Sequence, residues 1–249
     1  MVRGLDTFRE YFRGFEEQYV LIGGAACDIL FESNAGQFRA TRDLDMVLIV
    51  EALTPEFGEK FWEFVEAGQY RNKATSIGKP QFYRFDKPEN EAYPKMVELF
   101  ARTDFKLKEM DGLTPVHIDE EVSSLSAILL NEEYYRVLLE GKVVVRDLSV
   151  LRPEYLILFK AKAYLDLSAR KEQGENVDSR DIKKHKNDIL RITTEFILES
   201  VKSLPVAVFH DMEQFIDKLE SEPFDAGLLK NYGLSNKEMV DRLNQVYGM

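Results

Sequence analysis

Two acids stand two positions apart at the head of an apolar run, Asp43-Leu44-Asp45-Met46-Val47-Leu48-Ile49-Val50. Successive residues of a strand face opposite sides, so both carboxylates project one way, at the mouth of a strand otherwise fit for burial. Upstream, a second apolar run, Tyr19-Val20-Leu21-Ile22, ends in the pair Gly23-Gly24. Two carboxylates held that close repel each other unless a cation sits between them. A chain with this pattern is constrained to a sheet with interior strands. Acids, metal and a glycine turn together point to phosphate chemistry.

The rest of the chain can support such a sheet. It has 249 residues, 45% of them hydrophobic, enough for a real core in one large or two medium domains. Lys and Arg number 33 against 44 Asp and Glu, a net charge of -11, which argues against a nonspecific nucleic-acid binder while allowing a local basic patch. The single cysteine, Cys27, excludes an intrachain disulfide and fits a reducing cytoplasm. No signal-type stretch opens the chain, and no apolar run approaches the ~20 residues needed to cross a bilayer. The expected setting is cytoplasmic, with no membrane partner.

Periodicity predicts an amphipathic helix carrying Leu5, Phe8, Tyr11 and Phe12, a strand at Tyr19–Ile22, a helix from Ala25 to Glu32 stopped at Ser33–Gly36, and a strand within Thr41–Glu51. A helix over Pro55–Ala67, an edge strand at Gln81–Phe85 and a strand at Met96–Phe100 follow. Beyond Pro115 the pattern turns helical: Val122–Leu130, Glu132–Leu139, Glu154–Ala169, Arg180–Ser200, Met212–Leu219 and Ser235–Tyr247, with a brief extended piece at Lys142–Val145. The expected class is α+β, a small mixed-sheet domain over 1–115 followed by a mainly helical domain over 116–249.

The chemistry-bearing set begins with Gly23, Gly24, Asp43 and Asp45. Glu98 is the best third carboxylate, because it interrupts an apolar strand where a lone charge is costly, and Asp104 is its rival. Mg²⁺ prefers oxygen ligands and keeps several waters, so two or three carboxylates plus phosphate oxygens complete its shell. Two such ions serve an in-line displacement. The glycines let the backbone approach phosphate, at a helix N-terminus with unpaired N–H groups.

Ile22-Gly23-Gly24 with Asp43-Leu44-Asp45-Met46 resembles the signature of polymerase-beta-type nucleotidyltransferases. More narrowly, Arg39-Ala40-Thr41-Arg42-Asp43-Leu44-Asp45, Leu156-Ile157-Leu158-Phe159-Lys160-Ala161-Lys162-Ala163 and Lys184-His185-Lys186-Asn187-Asp188 are similar to three motifs of the AbiEii-like branch, which includes toxins of bacterial toxin–antitoxin pairs. His185 stands where that branch more often has aspartate, and Ala25, Ala26 and Cys27 stand where a Ser or Thr usually follows the glycines. The resemblance implies a nucleotidyltransferase domain with a helical domain behind it. It implies Asp43 and Asp45 as metal ligands and NTP as substrate; with Glu98, taken from the strand pattern, they would hold two Mg²⁺ ions. It also implies Lys160 at the phosphates, and Lys184 and Asp188 shaping the nucleotide site. Its implied partners are an acceptor (an RNA 3′ end, a protein or a small molecule) and an antitoxin.

Plainer readings stand beside these. Lys160 and Lys162 lie about 200° apart on a helix, so only one faces a site, and the family pattern favours Lys160. Lys184, Asp188 and Arg191 form one stripe that also reads as a solvated face with an i,i+4 ion pair. The cluster Arg180, Lys183, Lys184, His185, Lys186 and Arg191 is the most basic stretch of an acidic chain, suited to RNA phosphates or to balancing nearby acids. Cys27 and Trp62 read as core, while His117 and His210 have no partner by spacing. The competing function is a catalytically weak nucleotide-binding or partner-binding module.

Overall fold

The computed structural model describes residues 2–33, 43–75, 82–101, 128–129 and 131–249. The fold is α+β. The chain divides into two compact units, one of Met1–Ile118 with Lys142–Arg152, the other of Asp119–Gly141 with Pro153–Met249. A single boundary after residue 115 was expected. Instead the chain returns to the first unit for a hairpin before leaving it again.

The first unit is built on a sheet of seven strands among the described residues: β1 (Tyr19–Ile22), β2 (Asp43–Leu48), β3 (Arg71–Thr75), β4 (Phe82–Asp86), β5 (Met96–Ala101), β6 (Lys142–Val145) and β7 (Leu148–Leu151), in the order β3-β4-β5-β2-β1-β7-β6. Strand β2 runs parallel to β5 and antiparallel to β1, and β7 joins β1 in parallel through Leu21 and Val150. All four residues of β1 are buried, as a central strand requires. Strand β4 is not an edge: β3, with no clear apolar pattern, pairs along its outer side. Strand β2 ends at Leu48. The apolar run then tightens into a 3₁₀ turn at Val50–Ala52, so it is shorter than the expected stretch to Glu51.

Helices α1 (Leu5–Phe12), α2 (Gly23–Ser33) and α3 (Pro55–Gly68) complete this unit. Thr54 caps α3 by accepting from Phe57 N at 3.3 Å, Pro55 occupies the first turn, and Gln69 ends the helix in a left-handed conformation. The core is aromatic. Phe12 has no exposed surface and its ring centroid lies within 4.5–6.2 Å of Phe8, Tyr19, Phe57, Phe61 and Phe64. Edge-to-face and tilted pairs of this kind add to the burial of each ring. Trp62 and Cys27 are buried there as expected.

The second unit holds α4 (Glu132–Gly141), α5 (Pro153–Glu172), α6 (Ser179–Glu195), α7 (Val206–Ser221), α8 (Ala226–Tyr232) and α9 (Asn236–Tyr247). Helix α6 stops at Glu195, short of the expected Ser200. Thr193 and Thr194 donate their hydroxyls back to the carbonyls of Ile189 and Leu190 at 2.8 and 2.9 Å, competing with continuation of the helix. Helix α7 is longer than expected because Pro205 sets its start six residues before Met212's predicted onset. Helix α8 was not foreseen. It is bounded by Asp225 as N-cap and by Gly233 at φ 66. Ser235 and Glu238 form a capping box at the head of α9. Most of the predicted helix Val122–Leu130 lies outside the described residues. No helix among the described residues is long and apolar enough to cross a membrane.

Phe12→Ala is expected to cost about 3–5 kcal/mol, since it opens a void among five rings. Urea unfolding followed by fluorescence measures it, and a loss below about 1 kcal/mol would refute the aromatic core.

Candidate active site

Asp43 and Asp45 alternate with buried Leu44 and Met46, so their half-buried side chains share one face of β2, as the i, i+2 spacing predicts. The register carries this face across the sheet. Ile22 of β1 lies opposite Asp45, Asp45 lies beside Glu98 of β5, and Glu98 lies opposite Arg84 of β4. The carboxyls of Asp45 and Glu98 lie within hydrogen-bonding reach of each other.

Gly23 follows Ile22 at the junction of β1 and α2, with φ +65. A Cβ on Gly23 would collide with Asp45 Oδ2. The glycine is therefore needed twice, once for its backbone and once for the room it leaves a carboxylate. The turn and the acids, with 18 residues between Gly24 and Asp43, meet in space. Helix α2 starts directly at Gly23 rather than at Ala25. Ala25, Ala26 and Cys27, in place of the family's hydroxyl residue, have no exposed surface.

Glu98 is only 8% exposed. Burial holds its carboxyl above the usual range, and the negative charge of Asp43 pushes the same way. Arg84 pulls against both. Its Nε donates to Glu98 Oε1 at 2.6 Å and its Nη2 sits 2.6 Å from the same oxygen. Sequence reasoning did not assign Arg84 to the site. The available signal was a cation in the strand whose neighbour carries the buried acid. Asp104, the alternative to Glu98, lies outside the described residues, as does His117.

The donor set suits a hard cation, being all carboxylate oxygen. Among the described residues no three His, Cys, Asp or Glu side chains are grouped so as to hold a metal ion. Mg²⁺ ordinarily takes one or two carboxylates and fills its shell with water and phosphate. Asp45 and Asp43 fit that role best, since one oxygen of Glu98 is already engaged by Arg84.

The remaining predicted residues lie in the helical unit. Lys160 on α5 is 7% exposed and its Nζ donates to Asp188 Oδ2 of α6 at 2.8 Å. The stripe of Lys184, Asp188 and Arg191 is thus not a plain solvated face, because Asp188 is buried against α5. Lys160 is brought together with Asp188, one of the two residues the resemblance paired it with, but its charge is balanced within this unit. Lys162 points elsewhere, bridging Asp166 and Asp211 at 3.2 and 3.1 Å, with Tyr134 donating to Asp211 at 3.0 Å. His210 is exposed beside Glu213.

No protein-family model matches this sequence, and neither does any curated protein.

Gly23→Ala is expected to lose about 2 kcal/mol from the left-handed backbone alone and to displace the Asp45 carboxylate. Thermal melting and the crystal structure of the variant check both effects. For the buried pair, Lys160→Met is expected to cost about 3–5 kcal/mol by removing the buried cation that faces Asp188, with most of it recovered in the double variant Lys160→Met, Asp188→Leu. Chemical denaturation of the three proteins measures the coupling, and equal loss in the single and double variants would refute it.

Proposed function

We propose that the chain is a Mg²⁺-dependent nucleotidyltransferase that moves a nucleoside monophosphate from an NTP to a hydroxyl acceptor and releases pyrophosphate. The observation that supports this most is the meeting of Gly23, Asp45 and Glu98 at one end of three adjacent strands. A turn that leaves space at a helix start favours phosphate, and a compressed acid pair favours a cation beside it.

In this reading Asp43 and Asp45 hold the metal. A divalent ion bound there would polarise phosphate oxygens and draw a hydroxyl toward ionisation. Gly23 and Gly24 bring the first turn of α2 close to the triphosphate. Arg84 aims Glu98 and favours its ionised form against burial, so Glu98 serves mainly as a further oxygen donor to the metal site, and less as a base. Lys160 serves by anchoring α5 to α6 through Asp188, with Lys184 one turn earlier on α6. The acceptor classes are an RNA 3′ end, a protein side chain and a small molecule. The same resemblance proposes an antitoxin as partner and the cytoplasm as setting.

A second reading is favoured by two features, the buried Ala25-Ala26-Cys27 segment and the engagement of Glu98 by Arg84. Both weaken the phosphate grip or the base, as in a nucleotide-binding or partner-binding module that has lost turnover.

Asp45→Asn is expected to reduce transfer of label from α-labelled NTP onto RNA or protein extract by more than about a hundredfold, with the melting temperature preserved. Undiminished transfer in that variant would refute the assignment. Mg²⁺-dependent NTP binding with no pyrophosphate released by the wild type would select the binding module.

A further inference from the structure

We propose that a cleft of about 600 Å³ within the helical unit, walled by α5, α6 and α7, binds the phosphate groups of a small polyanion through Lys171, Lys183, Lys186 and Lys218. The site is separate from the acidic cluster of the sheet and does not depend on the function proposed for it.

The four lysines come from three different helices and converge on one hollow in a chain whose net charge is -11. Glu172, Glu222 and Asp225 offset that convergence only in part. Lys186 is half-buried, and its burial, with the ammoniums of Lys183 and Lys218 against the pull of Glu222, lowers its affinity for its proton. An anion in the cleft relieves that repulsion, as a cation relieves the crowded acids of the sheet.

The lysines are held in place rather than left loose. Lys186 and Lys218 lie over the ring of Tyr164, at 5.4 and 5.9 Å from its centroid. The Tyr164 hydroxyl donates to Glu222, whose backbone carbonyl accepts from Lys186 at 3.2 Å. Lys218 spans Glu172 at 3.1 Å and Glu222 at 3.5 Å, Lys183 pairs with Asp225 at 2.9 Å, and Lys171 donates to Ser179. Ser179 is the first residue of α6, so the positive end of a 17-residue helix adds to the wall.

Asn187 supplies an observation of a different kind. It lines the cleft, and its Oδ1 is shut from solvent with no hydrogen-bond partner. The acids Glu172, Glu222 and Asp225 set the strength. Three negative groups against four positive ones leave a small surplus, which predicts salt-sensitive binding in about the 0.1–1 mM range. Recognition rests on phosphate, because the Tyr164 ring of the lining is already taken up by two ammoniums rather than left open to a base.

Tripolyphosphate titrated into the full chain by calorimetry, with EDTA present to silence any metal-linked site, tests this. The wild type is expected to bind it, and to bind ATP within a few-fold of the same affinity. The variant Lys183→Gln, Lys186→Gln is expected to bind at least about tenfold more weakly, and Lys237→Gln, outside the cleft, to match the wild type. Glu222→Gln keeps an acceptor for Tyr164 but removes a negative charge, so several-fold tighter binding is expected. No binding of tripolyphosphate, binding of ATP alone, or a double lysine variant that binds like the wild type would each overturn the proposal. Circular dichroism reports whether the double variant folds. Should it not, Glu222→Gln decides: unchanged or weaker binding overturns the site.

Discussion

The Asp45 carboxylate sits in the tightest electrostatic position of the sheet, with Gly23 on one side and Glu98 on the other. Everything around it is arranged by that crowding. The strand before the glycine runs antiparallel to β2 so that the turn arrives at the level of Asp45. The parallel pairing of β2 with β5 sets Glu98 beside it, and the antiparallel β4 brings Arg84 up from the far side. A slip of one residue in any of these registers would turn one member to the opposite face. The aromatic core under α1 and α3 and the buried β1 hold the registers that make the cluster possible.

Two acids of the molecule, Asp188 and Asp45, have different fates. Asp188 meets Lys160 at 2.8 Å, and the pair neutralises itself inside the helical unit. Asp45 meets another acid, Glu98, at which Arg84 is directed. The first arrangement pairs opposite charges, as structural ion pairs do. The second sets like charges side by side, the kind of perturbed group that gathers at functional sites. Function is read more readily from the second kind than from the first, which explains why Lys160 serves the proposal as an anchor.

Much of the sheet's centre was legible before the coordinates. Asp43-x-Asp45 before an apolar run, and Gly23-Gly24 after another, are period-2 and turn signals of the strongest sort, and both stand where they were expected. Strand β3 was missed because Arg71-Asn72-Lys73 has no apolar alternation, and its pairing with β4 is a tertiary matter. Strand β7 was missed because the turn that leads into it, Arg146-Asp147, takes its positive φ angles without a glycine to signal them. The end of α6 was misjudged since Thr193 and Thr194 act through their hydroxyls, which periodicity does not register. For the site, spacing identified which acids share a face but not that Arg84 would be drawn to Glu98, nor that Lys160 would find Asp188. Contacts between residues distant in the chain leave no local trace. The lysine cleft is the extreme case, assembled from ends of three helices whose residues look, in order, like ordinary solvated charge.

The pairing of Leu21 with Val150 has a consequence for how the chain is made. The N-terminal strands leave the ribosome early, yet the strand that flanks β1 arrives only after α4 has been synthesised. Until then β1 presents one edge of hydrogen-bonding groups with no permanent neighbour, the condition in which nascent sheets attract foreign strands. Long loop closure of this sort slows folding as well. The first unit therefore cannot be finished in the order it is translated, and cutting the gene between the two units at any one place would leave its sheet a hairpin short.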